Sequence, residues 1–131
     1  MSWINFHLVP LVMPLSGLRI LVVEDEALIA LDTERLLIEA GAQSVTVCSR
    51  AHFDEVTREQ RFDAMLVDTG PDRSTLEADL ERAQSIGARI AFTTADTELV
   101  AGLAGFEGIQ FIAKPYDMRH ITALISGLGG G

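Results

Sequence analysis

Several side chains able to do chemistry stand at the ends of apolar runs. Glu24 and Asp25 follow LRILVV (18–23), Asp68 follows AMLV (64–67), Thr93 and Thr94 close RIAFTT (89–94), and Lys114 follows IQFIA (109–113). Singly, each has an ordinary use: Asp25 and Glu26 could cap the next helix, and Asp68 could do the same one turn later. Converging on one crevice, three carboxylates would repel and raise one another's proton affinity unless a cation or lysine compensated. Two carboxylates plus water, with no Cys or His in the group, suit a hard oxygen-seeking ion such as Mg2+. A cation beside Asp68 would bring in phosphate, with Lys114 adding positive charge and a threonine hydroxyl donating to a phosphoryl oxygen. Asp68 would then attack phosphorus and form an acyl phosphate. His7, His52 and His120 have no pairing at ligand spacing and read as surface residues.

The elements that must position these groups alternate regularly. Strands are expected at 18–23, 45–48, 64–67, 89–94 and 109–113, and helices at 26–40, 52–59, 74–86 and near the C-terminus. On the first helix Asp32, Arg35 and Glu39 form a polar stripe, and most of the remaining surface is apolar and must be covered. Leu76, Leu80, Ala83 and Ile86 share one face of the third helix, and Gly87 is placed to end it. Gly102, Gly105 and Gly108 make the helix after Asp96 short and weakly held. The last helix should bury Met118, Ile121, Leu124 and Leu128. Strand and helix in alternation imply right-handed crossovers, hence an α/β, flavodoxin-like (βα)5 doubly wound parallel sheet. Thr46 and Gln110 interrupt strands two and five, which places those two at the edges in the order 2-1-3-4-5. The topological switch then lies between strands one and three, where ligands bind at the carboxyl ends.

The chain has 131 residues, enough for one domain. Hydrophobic residues at 48% and charged residues at 22% allow a buried core and argue against disorder. Nineteen acidic against ten basic residues give a net charge of -9, which would repel a phosphate backbone, so nucleic acid is not an expected partner. The single cysteine, Cys48, can form no internal disulfide, which points to a reducing, cytoplasmic compartment. No apolar run reaches the ~20 residues of a membrane span. Residues 1–17 form an apolar extension containing Pro10 and Pro14, without the positive start of a signal peptide. Met13 could begin the natural domain; alternatively Trp3, Ile4, Phe6 and Leu8 pack on a partner or a second copy.

Four motifs in order, VVEDE at 22–26, LVD at 66–68, TTA at 93–95 and KP at 114–115, resemble the receiver domain of bacterial two-component response regulators. The resemblance covers 18–128, leaving a glycine tail at 129–131. It implies that Asp68 is the phosphoacceptor, that Asp25 and Asp68 bind magnesium with Glu24 acting through water, and that Gly70 offers a backbone carbonyl to the metal. It implies further that Thr94, rather than Thr93, and Lys114 complete the catalytic set, with a cis bond between Lys114 and Pro115. Phe111 falls at the switch aromatic, and would follow Thr94 inward as the face of helix four, strand five and helix five changes. The implied partners are a sensor histidine kinase or a histidine phosphotransfer protein. A homodimer could form through that same face or through the N-terminal extension. The chain reads as a stand-alone receiver: a phosphoacceptor that assists its own phosphorylation and dephosphorylation, not an enzyme acting on a separate substrate.

The DTGPD stretch departs from the family pattern, which usually places a methionine-proline pair three and four residues after the phosphoacceptor; here Pro71 comes at three, a loop one residue shorter. A pseudo-receiver that acts by protein contact without phosphorylation is therefore an alternative. Asp68-Thr69-Gly70 also matches the motif of an aspartic protease subunit, but that fold is all-β and the helical faces contradict it.

Overall fold

The computed structural model describes residues 15–116 and 119–120. Trp3, Ile4, Phe6, Leu8 and the candidate start Met13 lie outside the described residues, as do Met118, Ile121, Leu124 and Leu128 of the expected last helix and the glycine tail. The elements are β1 (Arg19–Val23), α1 (Ala27–Glu39), β2 (Ser44–Cys48), α2 (Phe53–Glu59), β3 (Ala64–Asp68), α3 (Arg73–Ile86), β4 (Arg89–Thr94) and β5 (Gln110–Ala113). Short 3-10 turns occupy Arg50–His52 and Thr97–Ala101.

All strands pair in parallel, in the order β2-β1-β3-β4-β5. This is the expected flavodoxin-like sheet, with the strands carrying Thr46 and Gln110 at its edges. Alternation along the central strands splits the core into two layers. Leu21, Val23, Met65, Val67 and Phe92 face α2 and α3, where Phe53, Leu76 and Ala83 meet them. Ile20, Val22, Ala64, Leu66 and Ala91 face the other way, onto Leu37 and Ala40 at the end of α1 and onto Leu15. The Leu15 N–H donates to the Ala40 carbonyl at 3.0 Å, which ties the start of the described chain to the end of α1.

α3 begins at Asp72, whose side chain accepts from the Thr75 N–H at 3.0 Å, and ends at Gly87, where φ of 73° is left-handed. The Asp72 cap replaces the expected role of Asp68 at this helix, and frees Asp68 for other chemistry. α1 has no side-chain cap, so Asp25 and Glu26 do not serve one either.

Two expectations need correction. Between β4 and β5 the chain makes only the 3-10 turn Thr97–Ala101, because Gly102 and Gly105, at φ of 107° and 90°, bend it out of helical conformation. Arg73 of α3 holds this segment, donating to the Ala104 carbonyl at 2.6 Å and lying 5.3 Å from the centre of the Phe106 ring. Secondly, the apolar surface of α1 is not fully covered: Leu28 is 81% exposed and Leu31 62%.

Phe92 is fully buried, stacked on Phe111 with ring centres 5.3 Å apart and edge-on to Phe106 at 6.4 Å. Phe92→Ala should lower stability by about 3–5 kcal/mol, whereas Leu28→Ala, at an exposed position, should change it by less than about 0.5 kcal/mol. Urea denaturation of the two variants measures the contrast, and comparable losses would contradict this description of the core.

Candidate functional site

The parallel register delivers the polar residues to one rim. Val23 pairs with Val67 and with Cys48, Asp68 pairs with Thr93, and Thr94 pairs with Ala113, so Glu24, Asp68, Thr94 and Lys114 emerge from adjacent strand ends. The Lys114 N–H donates to the Thr94 carbonyl at 2.8 Å, which extends the β4–β5 ladder by one bond and fixes where the lysine side chain starts.

Lys114 Nζ lies 3.0 Å from Asp68 Oδ1 and 3.0 Å from Glu24 Oε1. One ammonium thus bridges carboxylates from β1 and β3, which relieves the repulsion expected between them. Glu24 is buried, and its second oxygen accepts from the Glu26 N–H at 3.2 Å. Burial works against the charged form of Lys114, yet the bonds to Asp68 and Glu24 hold its pKa above the ordinary value.

Asp25 is exposed, and its Oδ1 accepts from the Arg50 N–H at 2.8 Å. The Arg50 side chain crosses to the other carboxylate strand, where Nη2 donates to the Asp68 carbonyl at 2.7 Å. Its two terminal nitrogens also donate to Asp79 on α3, at 3.1 and 2.9 Å. Asp79 is buried, and burial pushes its carboxyl pKa up against the opposing pull of Arg50. Gly70 sits in a tight place: an added Cβ would lie 2.2 Å from Thr75 Cγ2 and 3.4 Å from Arg50 Cζ.

Thr94 is buried, and its hydroxyl accepts from the Asp96 N–H at 3.0 Å and from the Thr69 hydroxyl at 3.3 Å. Phe111 is buried among Phe92 and Phe106, as a core residue of β5. The Lys114-Pro115 bond is cis. His52 is exposed beside Ser49, at 2.9 Å. Beyond the lysine, the Tyr116 and Thr33 hydroxyls share a hydrogen bond. Together with Ile29, Leu36 and Pro115 they line a cavity of about 280 Å³ that reaches Lys114.

Among the described residues no three carboxylate, His or Cys side chains gather as a metal-ligand cluster. Of the three carboxylates expected to converge, Glu24 and Asp68 meet at the Lys114 ammonium, and Asp25 accepts from the Arg50 backbone N–H. The Oδ2 atoms of Asp25 and Asp68 accept no hydrogen bond among the described residues and are the oxygens that could hold a hard cation. Cys48 offers no competing thiolate at neutral pH, since burial and the Asp25 charge push its pKa up to about 11.

No known family model matches the chain, and no curated protein does. Solved structures do match. The anti-anti-sigma factor PhyR from Bartonella quintana superposes at a TM-score of 0.70 with 21% identity, over 99% of this chain and 53% of that one. The response regulator PhyR from Brucella abortus gives 0.64 with 22% identity, over 85% and 47%. A CheY-like response regulator receiver domain from Methylobacillus flagellatus gives 0.67 with 21% identity, over 84% and 97%. The chain has the receiver-domain fold. It spans about half the length of the two PhyR chains and nearly all of the third. No helix among the described residues is long and apolar enough to cross a membrane.

On this receiver fold, sequence reasoning missed Arg50 and Asp79. Arg50 follows β2, whose neighbour is β1, so it reaches the same rim. Asp79 interrupts the apolar face Leu76, Leu80, Ala83, and a carboxylate there signals a buried partner.

Two predictions follow from these environments. Lys114→Met should cost about 3–5 kcal/mol at neutral pH by leaving buried Glu24 without its cation. Because the lysine pKa is raised on folding, its contribution is complete below an unfolded value of about 10.4 and is lost as pH rises through the folded one. The gap between wild type and variant in urea midpoints should accordingly close in alkali, and a gap independent of pH would contradict it. Tyr116 is the single tyrosine, and burial followed by the nearby Glu24 and Asp68 charges, against its bond to Thr33, pushes the phenol up to about 12. Ultraviolet titration should show that raised midpoint in the folded protein and a value near 10 in urea; a folded midpoint near 10 would place the ring in water.

Proposed function

We propose that the protein accepts a phosphoryl group on Asp68 in a two-component phosphorelay, with a histidine kinase or a histidine phosphotransfer protein as donor and magnesium as the required ion. The observation that carries this reading is the lysine bridge from Lys114 to Asp68 and Glu24 at the carboxyl rim of a receiver-type sheet. The bridge leaves one Asp68 oxygen without a hydrogen bond among the described residues, and that oxygen is the nucleophile.

In the transfer, Asp68 Oδ2 forms a bond to phosphorus while the bond from phosphorus to the donor imidazole nitrogen breaks. The electron pair leaves with the imidazole, which takes up a proton. Lys114 stabilises charge on the phosphoryl oxygens, and Thr94 turns its hydroxyl from Thr69 to donate to one of them. A magnesium ion held by Asp25, Asp68 and the Gly70 carbonyl would supply further positive charge. Arg50 and Asp79 keep the Asp68 backbone in place during the step. Loss of the phosphoryl group reverses the change when water attacks phosphorus and the aspartyl oxygen departs. The signal is a shift in population: movement of Thr94 opens space beside β5, and Phe111 repacks against its neighbours Phe92 and Phe106. A dimer through the β5 face would be one output.

A second reading, a protein-interaction module that is not phosphorylated, is favoured by one fact. Glu24, Asp25 and Asp68 each already accept a hydrogen bond or ion pair from within the chain. The aspartic protease reading is dropped, since a five-stranded parallel sheet is not that all-β fold.

Incubation with a small acyl phosphate donor and magnesium should add one phosphoryl mass to the protein, and Asp68→Asn should not gain it. Magnesium at ten times its dissociation constant should raise stability by about 1.4 kcal/mol. Absence of both the adduct and the stabilisation would select the interaction module.

A further inference from the structure

We propose that Arg50 is a resident cation of this site, clamped by Asp79 against the phosphoacceptor loop, and that it competes with a divalent ion and sets its affinity low. The proposal rests on reading the rim as a metal-dependent phosphoacceptor site. Arg50 contacts both halves of that site. Its backbone N–H holds Asp25 Oδ1 at 2.8 Å, while Nη2 of its side chain holds the Asp68 carbonyl at 2.7 Å. The guanidinium also lies against Gly70, where Cζ is 3.4 Å from the place of an added Cβ.

The clamp keeps the charge there. Asp79 takes two guanidinium bonds, at 3.1 and 2.9 Å, and its side chain is 5% exposed. A planar guanidinium bound through two nitrogens gives up little rotamer freedom by staying, whereas an unpaired arginine would swing into solvent. Withdrawal of Arg50 would leave Asp79 charged and buried without its partner, so the guanidinium does not leave readily. With Lys114 on the far side of Asp68, the rim holds two positive groups before any ion arrives. An incoming divalent cation meets their repulsion.

The test is calorimetric titration of the full chain with magnesium chloride, comparing wild type, Arg50→Gln and the double variant Arg50→Gln/Asp79→Asn. The double variant keeps a hydrogen-bonded pair of similar shape and serves if the single one does not fold. Magnesium should bind Arg50→Gln up to about tenfold more tightly, and the double variant roughly threefold more tightly, since removal of the carboxylate as well offsets part of the charge change. Binding by the double variant where wild type shows none would support the proposal equally. Equal or weaker binding in the folded double variant, with wild type binding measurably, would overturn it and leave the phosphoacceptor reading intact. No binding in any of the three proteins would overturn the metal-dependent reading itself.

Discussion

Like charges crowded at one end of a sheet are the constraint on which this molecule turns. Glu24 and Asp68 emerge from neighbouring strands, and Lys114, two strands further along, reaches back to both at 3.0 Å. Without the ammonium, a buried glutamate beside a second carboxylate would have to take up a proton or distort the strand ends. With it, the two strand ends are tied to one ammonium.

The rest of the fold serves that arrangement. Central strands buried on both faces give a rigid platform, and their register decides which side chains meet at its edge. Arg50 joins the β2 edge to the end of β3 at the Asp68 carbonyl and, through Asp79, to α3. Two cations on opposite sides of Asp68 therefore share the compensation, one from β5 and one from beyond β2. A site compensated from within is held by its own ion pairs, from Lys114 to Glu24 and Asp68 and from Arg50 to Asp79.

The segment between β4 and β5 shows how local chemistry and tertiary contact combine. Its glycines break the helix, and Arg73 then anchors what is left through the Ala104 carbonyl and the Phe106 ring. Phe106 touches Phe111 and Phe92, so the anchor is continuous with the aromatic cluster beneath Thr94. Any rearrangement at Thr94 would be felt along this chain of packed rings.

Strand order, helix faces and the positions of Glu24, Asp25, Asp68, Thr94 and Lys114 at strand ends were legible in the sequence, because hydrophobic period and strand polarity are local properties. The cis bond before Pro115 was open to resemblance, and Phe111 lies in the core, where periodicity alone would also place it. What the residue types could not decide was pairing. Whether Glu24 faces an ion or Lys114, whether Asp25 caps a helix or accepts from Arg50, and whether Asp79 is a surface carboxylate or a buried clamp all depend on long side chains crossing between elements far apart in the chain. Arg50 and Asp79 are 29 residues apart and Glu24 and Lys114 are 90 apart, so only the folded packing brings them within reach.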